Sequence, residues 1–196
     1  MKLVGISGSL GKYSKTEISV KTALEFAAAS FPDAETNLLT LSEFELEFCD
    51  GRNPDSYEGD TRTVIDTITT GDAFIIGSPI YRGTYSGAFK NLFDLIPNDA
   101  LEGKVVGLLA TGGSDHHFLA IEHLFKPLFG YFNAYVVPGG VYANNTHFSN
   151  GKLADEGILK RLEKLANETV RLSGLLGKVY KGPAPPVIKR ETLKAS

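Results

Sequence analysis

Five short apolar runs, each followed by a longer segment, constrain this chain more than any other feature. Residues 2–7, 36–41, 72–78, 104–111 and 134–138 read as strands. The first, third and fourth have the cores Leu3-Val4-Gly5-Ile6, Ala73-Phe74-Ile75-Ile76 and Val105-Val106-Gly107-Leu108-Leu109. These are continuously apolar rather than alternating, the pattern of strands covered on both faces. Residues 16–30, 60–70, 85–96, 118–132 and 153–173 carry apolar positions at helical spacing, and Pro32 and Pro97 close the first and third of these helices. Strand alternating with helix implies right-handed crossovers and an α/β fold, a doubly wound parallel sheet with helices on both sides.

Length and charge narrow the partners. The 196 residues make about one domain, expected over residues 1–181, with a Pro-rich C-terminal tail at 182–196 read as either disordered or an arm on a partner subunit. Twenty basic against 23 acidic residues, scattered along the chain, leave a net charge of -3 and no patch for nucleic acid or anionic lipid. No run reaches the ~20 apolar residues of a membrane span. Cys49 is the single cysteine, so neither an internal disulfide nor a cysteine zinc site is expected, and a cytoplasmic location follows. His116, His117, Glu122 and His123 lack the i, i+4 spacing that places two ligands on one helical face, so no metal is expected.

In open sheets of this kind ligands bind outside the carboxyl ends of the strands. After the first strand comes Ser7-Gly8-Ser9-Leu10-Gly11-Lys12-Tyr13-Ser14-Lys15-Thr16, a glycine and hydroxyl loop entering a helix. Amides freed at the glycines, the hydroxyls of Ser9, Ser14 and Thr16, the cations of Lys12 and Lys15 and the helix dipole make it a candidate phosphate cradle. A plain capped turn is the competing reading. The glycines fall at 5, 8 and 11, which disfavours a Rossmann dinucleotide, and no G-x-x-x-x-G-K-[ST] is present. A mononucleotide with one terminal phosphate remains, with FMN its leading member. The third and fourth strands end in Pro79-Ile80-Tyr81-Arg82-Gly83 and Thr111-Gly112-Gly113-Ser114, suited to a flat heterocycle. Tyr81 is expected along the ring, Arg82 near a pyridine nucleotide's phosphates or in solvent, and the amides of Gly112 and Gly113 near flavin O2 and N1.

Taken together, Gly8-Ser9 with Ser14, Ser78-Pro79-Ile80-Tyr81 with Ser86-Gly87-Ala88-Phe89-Lys90-Asn91-Leu92-Phe93-Asp94, and Thr111-Gly112-Gly113-Ser114 resemble the three motifs of the NAD(P)H-dependent FMN reductases. The resemblance implies a flavodoxin-like, three-layer fold with five parallel strands in the order 2-1-3-4-5. It further implies FMN with NADPH or NADH as co-substrate, and hydride transfer from nicotinamide C4 to flavin N5 without a catalytic side-chain acid or base. Family members often carry Arg two or three residues after the Gly-Ser, where this chain has Gly11-Lys12. A quinone or azo reductase with bound FMN, and a flavodoxin-type electron carrier, stay open as alternatives.

The run from Leu119 to Leu128 resembles the branch that serves alkanesulfonate monooxygenases, which implies a flavin-dependent monooxygenase as partner. Pro127 falls inside this helix and has no N–H for the carbonyl of His123, so a kink or a π-bulge is expected near His123. The apolar residues Phe118, Leu119, Ile121, Leu124, Phe125, Leu128, Phe129, Tyr131 and Phe132 cover more than one stripe, which predicts a homodimer or homotetramer burying the surplus.

Overall fold

The computed structural model describes residues 1–176, so the expected domain end at 181 and the tail at 182–196 lie outside the described residues. In chain order the elements are β1 (Lys2–Ser7), α1 (Lys15–Ser30), β2 (Glu35–Thr40), α2 (Gly59–Thr70), β3 (Ala73–Tyr81), β4 (Thr84–Tyr85), α3 (Gly87–Leu95), β5 (Val105–Thr111), α4 (Lys126–Tyr131), β6 (Tyr135–Val136), β7 (Val141–Ala143), β8 (Phe148–Ser149), β9 (Lys152–Leu153) and α5 (Glu156–Leu176). The main sheet runs β2-β1-β3-β5-β6 with every neighbouring pair parallel, so the five expected strands take the expected order.

Alternation along the central strands explains their continuous apolarity. Val4, Ile6, Phe74, Ile76, Val106 and Leu108 enter one core with Val64, Phe89, Phe125 and Phe129, while Leu3, Ala73, Ile75, Val105 and Leu109 enter a second with Val20, Leu24, Leu162 and Leu165. Helices α2, α3 and α4 thus cover one face, and α1 and α5 the other. The first core is dominated by rings: Phe89 and Phe93 stand 4.8 Å apart, and Phe129 meets Phe93 edge-on at 5.1 Å.

Two elements depart from the expected boundaries. The fifth strand does not end at Pro138: β6 pairs with β5, Pro138-Gly139-Gly140 interrupts the ladder because proline offers no N–H, and β7 then rejoins β5 at Leu109 to Thr111. Likewise β3 continues past Ser78 to Tyr81 and folds back through β4, where Arg82 and Gly83 take φ of 53° and 91° in a two-residue turn.

The helix expected over 118–132 is broken in the manner its proline demands. A 3-10 turn spans Asp115–His117, a π-helical turn spans Ile121–Phe125, and α4 follows. The Lys126 N–H donates to the Ile121 carbonyl across five residues, and Pro127 occupies the start of α4, where a missing N–H matters least. The bulge expected at His123 is present. It turns Ile121 and Phe125 inward and leaves His123 exposed.

Candidate functional site

The carboxyl ends of β1, β3 and β5 open onto a cleft of about 300 Å³. Its first wall is the loop before α1 with the helix start, from Ser9, Gly11, Lys12, Tyr13, Ser14, Lys15 and Thr16; its second is Pro79, Ile80 and Tyr81 of β3; its third is Thr111, Gly112 and Gly113, with Asn145 beside them. Sequence reasoning expected most of these residues, Gly11 through its backbone amide, but gave no role to Tyr13 and missed Asn145. Asn145 lies far along the chain on a 3-10 turn after β7, and its Oδ1, 2.6 Å from Lys15 Nζ, ties it to the loop.

Local chemistry fixes the first wall. Ser14 caps α1 by accepting from the Glu17 N–H at 3.2 Å, and its carbonyl takes the Ile18 N–H, which leaves the Lys15 and Thr16 amides as first-turn donors with no acceptor inside the helix. Ser9 Oγ accepts from the Gly11 N–H at 3.2 Å and so curls the loop. Thr16 Oγ1 lies 2.6 Å from Thr111 Oγ1, both buried, and this pair locks the first wall to the third. Thr16 therefore serves the cleft from beneath, as a brace.

The second motif explains itself as the brace of the first. Ser86 caps α3 by accepting from the Phe89 N–H at 3.1 Å, while its own hydroxyl donates to the Gly8 carbonyl at 2.6 Å. Its backbone N–H in turn donates to Ser78 Oγ at 3.0 Å. Gly8 sits so close to Phe89 that a Cβ there would lie 2.5 Å from the ring, which is why the loop turns on glycine. Asn91 holds the long 42–59 segment by accepting from the Cys49 N–H and donating to the Glu47 carbonyl, each at 2.9 Å. Ser86→Ala is expected to cost about 2–4 kcal/mol by losing a cap and stranding a buried carbonyl. That amounts to a melting temperature lower by about 5–15 °C in a thermal scan.

Arg82, Gly83 and Ser114 are not brought into the cleft. Arg82 is exposed and shares the tip of the β3–β4 turn with Gly83, and neither lines the cleft. Ser114 gives its carbonyl to the Tyr142 hydroxyl at 2.6 Å and its Oγ to His116 Nδ1 at 2.9 Å. Burial, and then the neighbouring Asp115 carboxylate, push the Tyr142 hydroxyl up, so it stays a donor.

The expected role of Gly112 needs correction. Its N–H donates to the Ala143 carbonyl at 3.0 Å and is spent within the sheet. A Cβ at Gly112 would lie 1.9 Å from the Tyr142 hydroxyl, so glycine is required here by the protein's own packing rather than by a ligand. A Cβ at Gly113 would meet nothing nearer than Asn145 Nδ2 at 3.9 Å, and this residue alone of the pair presents an open backbone face.

Two serine hydroxyls and two lysines at the start of a 16-residue helix suit a dianionic phosphate ester. Proline, isoleucine and glycine on the facing walls suit a flat ring. The residues therefore fit a flavin mononucleotide. Among the described residues no group of His, Cys, Asp and Glu is placed to hold a metal ion.

Comparison with known proteins identifies the family. Residues 1–148 match the family model described as NADPH-dependent FMN reductase. An NAD(P)H-dependent FAD/FMN reductase of Geobacillus thermodenitrificans is 44% identical over 88% of this chain and 93% of its own length. The NADH-dependent FMN reductase SfnF of Pseudomonas putida is 32% identical over 84% of this chain and 89% of its own. Among solved structures, apo NADH:FMN oxidoreductase EmoB superposes with a TM-score of 0.75 at 26% identity, covering 88% of this chain and 89% of that one.

Proposed function

The chain belongs to the NADPH-dependent FMN reductase family, and from that premise we propose that it binds FMN in this cleft, phosphate end toward residues 9–16, for reduction by NADPH or NADH. The observation that carries this reading is the meeting, in one cleft, of a cationic hydroxyl-rich helix start with one wall of Pro79, Ile80 and Tyr81 and another of Thr111, Gly112 and Gly113. When bound, the flavin supplies the hydride acceptor, its N5, for the C4 hydride of the reduced pyridine nucleotide.

The protein's own residues bind and orient. Lys12 and Lys15 neutralise the phosphate, and Ser9 and Ser14 donate hydroxyl hydrogens while their lone pairs hold the loop. Pro79 and Ile80 carry one side of the ring, and Gly113 allows close backbone approach at its polar edge. Tyr81, 55% exposed, borders the open face over which the pyridine nucleotide lies. No side chain holds or moves a proton at the transfer step, so rate comes from orientation.

Anaerobic mixing of catalytic protein with FMN and NADPH, and separately NADH, tests the activity. Loss of flavin colour in step with nucleotide oxidation is expected with at least one donor. Nucleotide oxidation at the protein-free rate with both donors contradicts it.

The reduced flavin passes to a flavin-dependent monooxygenase, and the working form is a homodimer or homotetramer. Phe118 and Leu119, 60% and 48% exposed beside the π-helical turn, support a subunit contact there. Light scattering at micromolar concentration is expected to give a dimer or tetramer mass, and Leu119→Glu to lower it. A monomer mass for the parent protein contradicts the assembly.

A further inference from the structure

Asn145 lines the cleft from the segment after β7, and its neighbours hold it there. Three bonds tie that segment to the end of β5. The Tyr142 hydroxyl donates to the Ser114 carbonyl at 2.6 Å, the Gly112 N–H to the Ala143 carbonyl at 3.0 Å, and Asn144 Nδ2 to Asp115 Oδ1 at 2.6 Å. Asn144 is buried, and its Oδ1 accepts from the N–H and the hydroxyl of Thr146 at 2.8 and 2.7 Å. One side chain thus anchors the backbone on both sides of Asn145. We infer that Asn145 donates from its side-chain amide to the N1 and O2 edge of the flavin and so holds the reduced ring more tightly than the oxidised one; the inference rests on the FMN reading of the cleft.

Which end of the amide is offered to a ligand follows from Lys15. An ammonium has only hydrogens to give, so the atom 2.6 Å from Lys15 Nζ is Oδ1, and Nδ2 keeps two hydrogens for another partner. Nζ itself is steadied 5.5 Å over the Phe148 ring. Nδ2 is the nearest atom to a Cβ built on Gly113, at 3.9 Å. Among the described residues, neither its hydrogens nor the Gly113 N–H meets an acceptor. Two unspent donors therefore stand side by side on the third wall, where the Gly112 N–H is already committed to the sheet.

Paired donors select the ring edge they face. A flavin has two acceptor edges, N1 with O2 and N5 with O4. Hydride transfer turns N5 into a donor and leaves negative charge on N1 and O2. Donors at N1 and O2 thus keep their acceptors in both redox states and strengthen on reduction, because a hydrogen bond to a charged acceptor is roughly twice as strong as one to a neutral acceptor. Fixed donors facing N5 would instead lose their acceptor at each turnover.

The test is the midpoint potential of bound FMN, measured in an anaerobic titration with a reference dye alongside the dissociation constant of oxidised FMN. Asn145→Leu is expected to weaken reduced FMN roughly tenfold more than oxidised FMN, which lowers the potential by about 30 mV for a two-electron couple. Lys15 loses its partner in this variant, but that change reaches both redox states through the same phosphate and cancels in the ratio. Asn145→Asp keeps a partner for Lys15 and is expected to lower the potential at least as far, since a carboxylate has no hydrogen to give. Equal weakening of the two redox states by Asn145→Leu, or a raised potential, overturns the inference and leaves the FMN reading standing. A parent protein that binds FMN in neither redox state overturns the FMN reading itself.

Discussion

Phe129→Glu is expected to abolish the folded state. Phe129 is fully buried, meets Phe93 edge-on at 5.1 Å and lies 6.4 Å from Phe89, deep in the core beneath β3 and β5. Losing such a ring costs about 3–5 kcal/mol before any charge is considered. A carboxylate left there without a partner adds several more, against a total stability of about 5–15 kcal/mol for most domains. The sequence pattern alone suggests a different outcome, because the surplus of aromatic residues over 118–132 makes Phe129 a candidate for a subunit contact. The structure corrects that: Ile121, Phe125, Phe129 and Phe132 are buried within the monomer, and the surplus left outside is Phe118, Leu119 and Tyr131. Circular dichroism and solubility of the purified variant decide the matter. A soluble Phe129→Glu monomer with native secondary structure would falsify this placement of α4.

The second large effect is on binding. Replacing Lys12 and Lys15 together by Glu removes two cations from the mouth of the cleft and adds two anions, with little cost to folding because Lys12 is exposed and Lys15 only half-buried. Each charge-assisted contact to a phosphate contributes about 1.5–3 kcal/mol, so the pair accounts for roughly 100-fold or more in affinity. Fluorescence titration of FMN into the double variant is expected to show that loss at an unchanged melting temperature. An unchanged dissociation constant removes this loop from the site. Single substitution Ser14→Ala is expected to give the milder loss of roughly 3- to 30-fold, since its hydroxyl donates one bond while its lone pair caps α1.

Much of the fold was legible because burial on both faces leaves an unambiguous trace. β1 lies at 2–7 as expected, and β5 differs from its expected start by one residue, since nothing but a central parallel strand accounts for Val105-Val106-Gly107-Leu108-Leu109. The π turn was legible for a different reason, as Pro127 forbids one particular hydrogen bond and so marks the break. What escaped depends on contacts between distant residues. Pro138-Gly139-Gly140 carries every local mark of a strand end, yet β7 resumes pairing beyond it because the edge of β5 still offers partners. Gly112 looks like a ligand-facing glycine until Tyr142, thirty positions on, is seen behind it. Asn145 has no local signature, and only the fold brings it to Lys15. In the second motif, Ser86 and Asn91 carry a family resemblance through their bracing of the phosphate loop and the 42–59 segment, away from the cleft itself.

The central claim is that the loop before α1 makes this cleft a site for a flavin phosphate. The most direct measurement is the ratio of dissociation constants for riboflavin and FMN, two ligands with one ring system and a single phosphate between them, on the parent protein. The account predicts FMN binding tighter by roughly 100-fold or more, from the several charge-assisted bonds the loop offers. Equal affinity for the two would contradict it.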